Sequence, residues 1–111
     1  MTGPMPPASV SGDLDDIDDI AVLHPCGEFD LANHHQLGTE IHHAVISGHR
    51  LVVVDFGEVT FIDASVIRML LRHQRLAESR GCRLNLVNVT GVAELILRAL
   101  HIGPPLWADA E

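Results

Sequence analysis

The spacing of apolar residues changes several times along the chain, and each change marks an element. Leu51, Val52, Val53 and Val54 form an unbroken aliphatic run, the pattern of a strand buried on both faces. Asp55 ends it. Val59, Phe61 and Ile62 then alternate, which predicts a short loop packed back onto the core. At Asp63 the period becomes 3.6. Asp63 is the expected N-cap, its carboxylate accepting from the free N–H groups of the first turn, with Ala64 and Ser65 opening a helix. Val66, Ile67, Leu70, Gln74 and Ala77 gather on one side and predict the core face. Met69, Arg72 and Leu76 lie within about 40° of Ser65 around the axis, on the other side. That arc is expected outside, either as a partner surface beside Ser65 or with Met69 and Leu76 tucked against a neighbouring loop.

The remaining pattern supplies the other elements. Ala8 to Leu14 alternates weakly and predicts a first strand; Ile20 to Cys26 predicts a second, interrupted at its end by Pro25. Leu37, Ile41, Ala44, Val45 and Gly48 form the inward stripe of a helix running from Leu31 or Asn33 to Ser47. Gly81 suits the end of the second helix. Arg83 to Asn88 is a strand. Thr90 caps a third helix with the stripe Val92, Leu95, Ile96, Ala99 and Leu100, and Leu106 with Trp107 add a short last strand. The order is β-β-α-β-α-β-α. It predicts an α/β fold, a single domain with a mixed four- to five-stranded sheet and helices on one face. Met1 to Pro7 holds three of the six prolines and is expected to be a flexible tail, the domain filling residues 8–111.

Composition narrows the function. At 111 residues the chain has room for one domain, and 47% hydrophobic residues suffice for a core, an aliphatic one since aromatics are only 4%. The net charge of −8 argues against a nucleic-acid partner, which is gripped by Lys and Arg. No apolar run approaches the roughly 20 residues that span a bilayer, and the first ten residues lack the basic and apolar regions of a signal peptide; a cytoplasmic protein without membrane partner is expected. Cys26 and Cys82 stand alone in their segments, as two buried free thiols.

Candidate metal sites are weak. Asp15, Asp16, Asp18 and Asp19 lack the Gly and closing Glu of a calcium loop and predict a solvated hairpin connection. His34, His35, His42 and His43 include no i,i+4 pair, and His35 and His42 are two turns or about 10 Å apart. They predict a solvated helix face that makes charge depend on pH near 6 to 7. Neither a Gly-x-Ser-x-Gly elbow nor a Gly-rich phosphate loop occurs, so no catalytic centre and no cofactor are expected.

The stretch VVVDFGEVTFIDAS resembles the signature of the STAS domain, in particular of the bacterial anti-sigma factor antagonists: a hydrophobic strand ending in Asp, a loop, then Asp-Ser-Ser/Thr-Gly opening a helix. Gly27-Glu28-Phe29-Asp30 is similar to the family's Gly-Glu-Leu-Asp element. The resemblance covers roughly Ile20 to Ile102 and is most specific over Val52 to Ser65. It implies that Ser65 is the phosphorylated residue and Asp63 the motif Asp. Ala64 stands for the first Ser. Val66 stands for the family Gly, where a branched side chain is expected to crowd a kinase. It also implies partner contacts from Asp63, Ala64 and Val66, beside the Met69, Arg72 and Leu76 that helical spacing puts next to Ser65, joined by Glu28 and Asp30, for which helix capping by Asp30 is the competing role.

The implied function is a switch. Unphosphorylated, the protein binds an anti-sigma factor of the serine kinase type and releases a sigma factor. Phosphorylation of Ser65 ends the binding, and a metal-dependent serine phosphatase resets it. ATP and metal belong to those partners. Two other functions fit the same fold: a phosphorylation-independent scaffold, and a small-ligand sensor.

Overall fold

The computed structural model describes residues 8–15 and 19–108, without the side chains of 13–15. The tail expected over Met1 to Pro7, and Asp16 and Asp18 of the expected hairpin connection, lie outside the described residues. Eight elements follow one another: β1 (Ser9–Asp15), β2 (Ile20–Phe29), α1 (His34–Ile46), β3 (Leu51–Asp55), β4 (Glu58–Ile62), α2 (Ala64–Ser79), β5 (Arg83–Val87) and α3 (Gly91–Ala99).

The strands form one five-stranded mixed sheet. β1 and β2 pair antiparallel, β2 and β3 parallel, β3 and β5 parallel. Register explains the core. Ala21 lies opposite Val52 and Val52 opposite Leu84; Leu23 lies opposite Val54 and Val54 opposite Leu86. These six residues are all buried, so two apolar rows cross three strands on one face. The helices bring Leu37, Ile41, Ala44 and Val45 from α1 and Val66, Ile67, Leu70 and Ala77 from α2 into the same core.

β2 is longer than its apolar pattern indicates. It continues past Pro25 to Phe29 and changes partner on the way, pairing with β3 through Leu23 and with β4 from Cys26. Pro25 sits at the change, in neither of those two ladders, where a residue without an N–H is tolerated. The register shifts between Gly27 and Glu28. Gly27 has φ +100, and a Cβ there would meet the backbone of Ala8, just before β1, at 3.3 Å.

Five expectations give way here. Residues 58–62 form a strand, β4, and not a loop; most of β4 is not buried, so its pairing with β2, not burial, defines it. Leu106 and Trp107 make no strand. Leu106 O accepts from Leu86 N at 2.7 Å and Trp107 Nε1 donates to Ile102 O at 2.6 Å, plugging the core as a turn. α3 is rolled about its axis: Ala93 and Leu97 are buried, while Val92, Leu95 and Leu100 are exposed. Thr90 holds the N-cap position of α3 with no side-chain bond. Cys82 is buried and burial pushes its thiol up, whereas Cys26 is only half-buried. By contrast Gly81, at φ +73, closes α2 as expected: Cys82 N donates to Ala77 O at 2.8 Å and Gly81 N to Glu78 O at 3.2 Å.

Candidate functional site

The ends of β2 and β4 deliver two segments side by side, the turn before α1 and the first turn of α2. Asp63 joins them. It is the N-cap of α2, and its Oδ1 accepts from Ser65 N at 3.0 Å, from Val66 N at 3.4 Å and from the Ser65 hydroxyl at 2.5 Å. Its Oδ2 accepts from Leu31 N at 3.2 Å. The Ser65 hydroxyl bond, outweighing burial, holds the Asp63 carboxyl below the usual carboxylate value, with smaller help from the Val66, Leu31 and Ser65 amides. At neutral pH it is an anion in the field of a helix N-terminus.

Asp30 organises the other segment. Its Oδ1 accepts from Ala32 N at 2.9 Å and Asn33 N at 3.3 Å, and its own N–H donates to Asn33 Oδ1 at 2.8 Å. Asn33 Nδ2 in turn donates to Glu28 O at 2.9 Å. The Asp30 carboxylate is thus occupied in the turn leading into α1 and does not cap the helix, whose N-cap is Asn33. Glu28 extends into solvent.

The predicted site residues divide sharply by exposure. Ala64 and Arg72 are exposed, Asp63 and Leu76 partly so. Ser65 is 8% exposed, Met69 1% and Val66 0%. The expected outward arc of Ser65, Met69 and Leu76 is therefore corrected: Met69 and Val66 do not reach the surface. α2 rests on the sheet and also lies along α1, so two directions of its circumference are covered. Gly38 makes the lateral contact possible; a Cβ there would stand 3.4 Å from Met69 Cγ. Val66 points into the core and so does not crowd the surface beside Ser65.

One surface residue was not predicted. Leu31 is 72% exposed, and its amide is tied to Asp63. The signal was present: Leu31 is an apolar residue six positions before Leu37, outside the α1 stripe, within a polar turn.

A second carboxylate fastens the far end of β3. Asp55 Oδ1 accepts from Gly57 N at 2.8 Å and Asn88 Nδ2 at 3.0 Å, and Oδ2 lies 3.7 Å from His24 Nδ1. The Asn88 amide leads in holding its carboxyl low, against desolvation. This knot fixes the β3–β4 turn against the end of β5. Among the described residues no group of three His, Cys, Asp or Glu is placed to hold a metal ion, and no helix is long and apolar enough to cross a membrane.

The family model described as "Mlab, STAS domain" matches residues 9–103. A search of curated proteins found no match. Among solved structures, the chain is similar to the unphosphorylated anti-sigma factor antagonist SpoIIAA, with TM-score 0.70, 21% identity and coverage of 93% of this chain and 90% of that one. It is similar to a putative anti-sigma factor antagonist of Thermotoga maritima, with TM-score 0.75, 17% identity and coverage of 90% and 86%. An anti-sigma factor antagonist from Mycobacterium paratuberculosis gives TM-score 0.71, 17% identity and coverage of 84% and 79%. At these identities the likeness is one of fold.

Proposed function

Because this chain belongs to the STAS domain family, matched over residues 9–103, we propose that it is an anti-sigma factor antagonist whose partner contact is set by the state of Ser65. Unphosphorylated, it binds an anti-sigma factor of the serine kinase type and so releases a sigma factor. Phosphorylation of Ser65 weakens that binding, and a metal-dependent serine phosphatase restores it.

The observation that carries this reading is the double grip of Asp63, one oxygen on the Ser65 hydroxyl and the other on the Leu31 amide. A phosphoryl group on Ser65 removes the hydroxyl donor. It also sets about −1.5 to −2 charges beside an existing carboxylate. The helix dipole offsets only about 0.3 to 1 kcal/mol of that repulsion. The strain falls on the Asp63–Leu31 bond, and so on the exposed turn of Glu28, Leu31 and Ala32. Contacts made through Leu31 and Ala64 are lost with it, while the sheet and the buried face of α2 stay in place.

The same geometry supports a second reading. Ser65 is 8% exposed and its hydroxyl is engaged, so a kinase must open the first turn to reach it. A STAS scaffold that never needs phosphorylation fits that burial equally well. Incubation with the cognate kinase and ATP, followed by intact mass and peptide mapping, separates the two: one phosphoryl group on Ser65 is expected. Ser65→Ala should then bind the anti-sigma factor constitutively and Ser65→Glu at least tenfold more weakly. Equal affinity of the two variants in calorimetry rules the switch out.

A further inference from the structure

Two turns along α2 from Ser65, a groove of about 300 Å³ separates α2 from α1. From α1 it is lined by His34, His35, Thr39 and His42, and from α2 by Arg72 and His73. Four imidazoles, a hydroxyl and a guanidinium face one space, and no carboxylate lines it. Glu40 and His43 of α1 face a different groove, although the His43 ring lies 6.5 Å from that of His42.

The hydrogen bonding leaves these groups available. His73 Nδ1 lies 2.8 Å from the Met69 carbonyl. A carbonyl only accepts, so Nδ1 carries the proton and Nε2 is left for a ligand. The His42 and His73 rings stand edge to face across the groove, 6.3 Å apart. His34 Nδ1 is buried and has no hydrogen-bond partner, an unsatisfied polar atom of the kind that a bound group completes.

We propose that this groove binds a phosphate-type oxyanion, and binds it more tightly as its imidazoles take up protons. A neutral His73 offers Nε2 only as an acceptor; protonation turns it into a donor aimed at the anion. Arg72 supplies a permanent charge and a planar pair of donors suited to phosphate oxygens. In a chain of net charge −8, a groove whose polar side chains are all His, Arg or Thr, with Gly38 and Met69 between them, sets no carboxylate against an anion. A cation is disfavoured there by Arg72 and by the lack of three converging ligands among the described residues. Linkage fixes the pH dependence. A protonated imidazole donates where a neutral one can only accept, so a site needing one such proton binds an anion more tightly at pH 6 than at pH 8.

Calorimetric titration of the full chain with inorganic phosphate at pH 6 and pH 8 tests this, with O-phosphoserine run in parallel to separate free from esterified phosphate. Saturable binding of at least one probe is expected at pH 6, and weaker binding at pH 8. Arg72 is exposed, so Arg72→Gln keeps the fold and should weaken binding about tenfold. The pair His42→Gln with His73→Gln should flatten the pH dependence. Ser65→Ala should bind like the parent protein, so this site stands or falls separately from the switch. No saturable binding of either probe at pH 6, binding indifferent to pH, or binding unchanged by Arg72→Gln overturns the proposal.

Discussion

Replacing Asp63 by alanine strips four donors of their acceptor: the amides of Ser65, Val66 and Leu31 and the Ser65 hydroxyl. Loss of the N-cap costs about 1 kcal/mol. Loss of an anion at a helix N-terminus costs a further 0.3 to 1 kcal/mol, roughly. The Ser65 hydroxyl, 8% exposed, is left poorly solvated, which adds about 1 kcal/mol. The Leu31 bond is exposed, so its amide turns to water and adds little. The sum is about 2 to 3 kcal/mol, or a fall in Tm on the order of 10 °C for a domain of this size. The sign of the pH dependence follows from the depressed carboxyl. Its folded pKa lies below the ordinary 3.8, so its stabilisation is complete above about pH 4 and is lost as pH falls through the folded value. Thermal unfolding by circular dichroism should therefore show a wide gap between parent and Asp63→Ala at pH 7 and a narrower one near pH 2.5. A gap under about 3 °C at pH 7, or one that is the same at both pH values, would refute the role assigned to this carboxylate.

Two further substitutions probe the neighbouring surfaces. Leu31→Asp, at a side chain 72% exposed, should leave Tm nearly unchanged yet weaken anti-sigma factor binding at least tenfold; unaltered affinity in calorimetry would remove the turn from the contact. Gly38→Ala should be close to neutral in urea unfolding, since about 1 kcal/mol of helix propensity offsets a Cβ placed 3.4 Å from Met69 Cγ and His73 Cε1. Gly38→Val should cost about 1 to 3 kcal/mol by wedging α1 from α2, and parent-like stability of that variant would contradict the close helix contact.

Much of the architecture was legible in the chain because it depends on local chemistry. The LVVV run marked the central strand, although Val52 and Val54 alone are buried and the Leu51 and Val53 face stays half-covered; Asp63 marked the start of α2, and Gly81 a left-handed exit from it. The α1 residues Leu37, Ile41, Ala44 and Val45 share one helical face, and all four are buried. The segments that escaped are those defined by something distant. β4 is a strand through its backbone pairing with β2, where Cys26 lies opposite Glu58 and Phe29 opposite Ile62, and its side chains show little of the alternation that burial imposes. The α3 stripe was real as a pattern, but the sheet edge accepts only Ala93 and Leu97 from it.

The sequence by itself determined where a carboxylate meets a helix start and which hydroxyl stands beside it, because capping is settled within three residues. Tertiary structure alone decided how exposed that hydroxyl is. Periodicity reports that one side of a helix is apolar; it does not count the neighbours, and α2 has two, the sheet and α1. The same lateral packing brings His73 to the histidines of α1 and creates a groove that neither helix specifies alone. It also seals Met69 against Gly38 and leaves Leu31, an isolated apolar residue in a polar turn, as the apolar side chain presented beside Asp63.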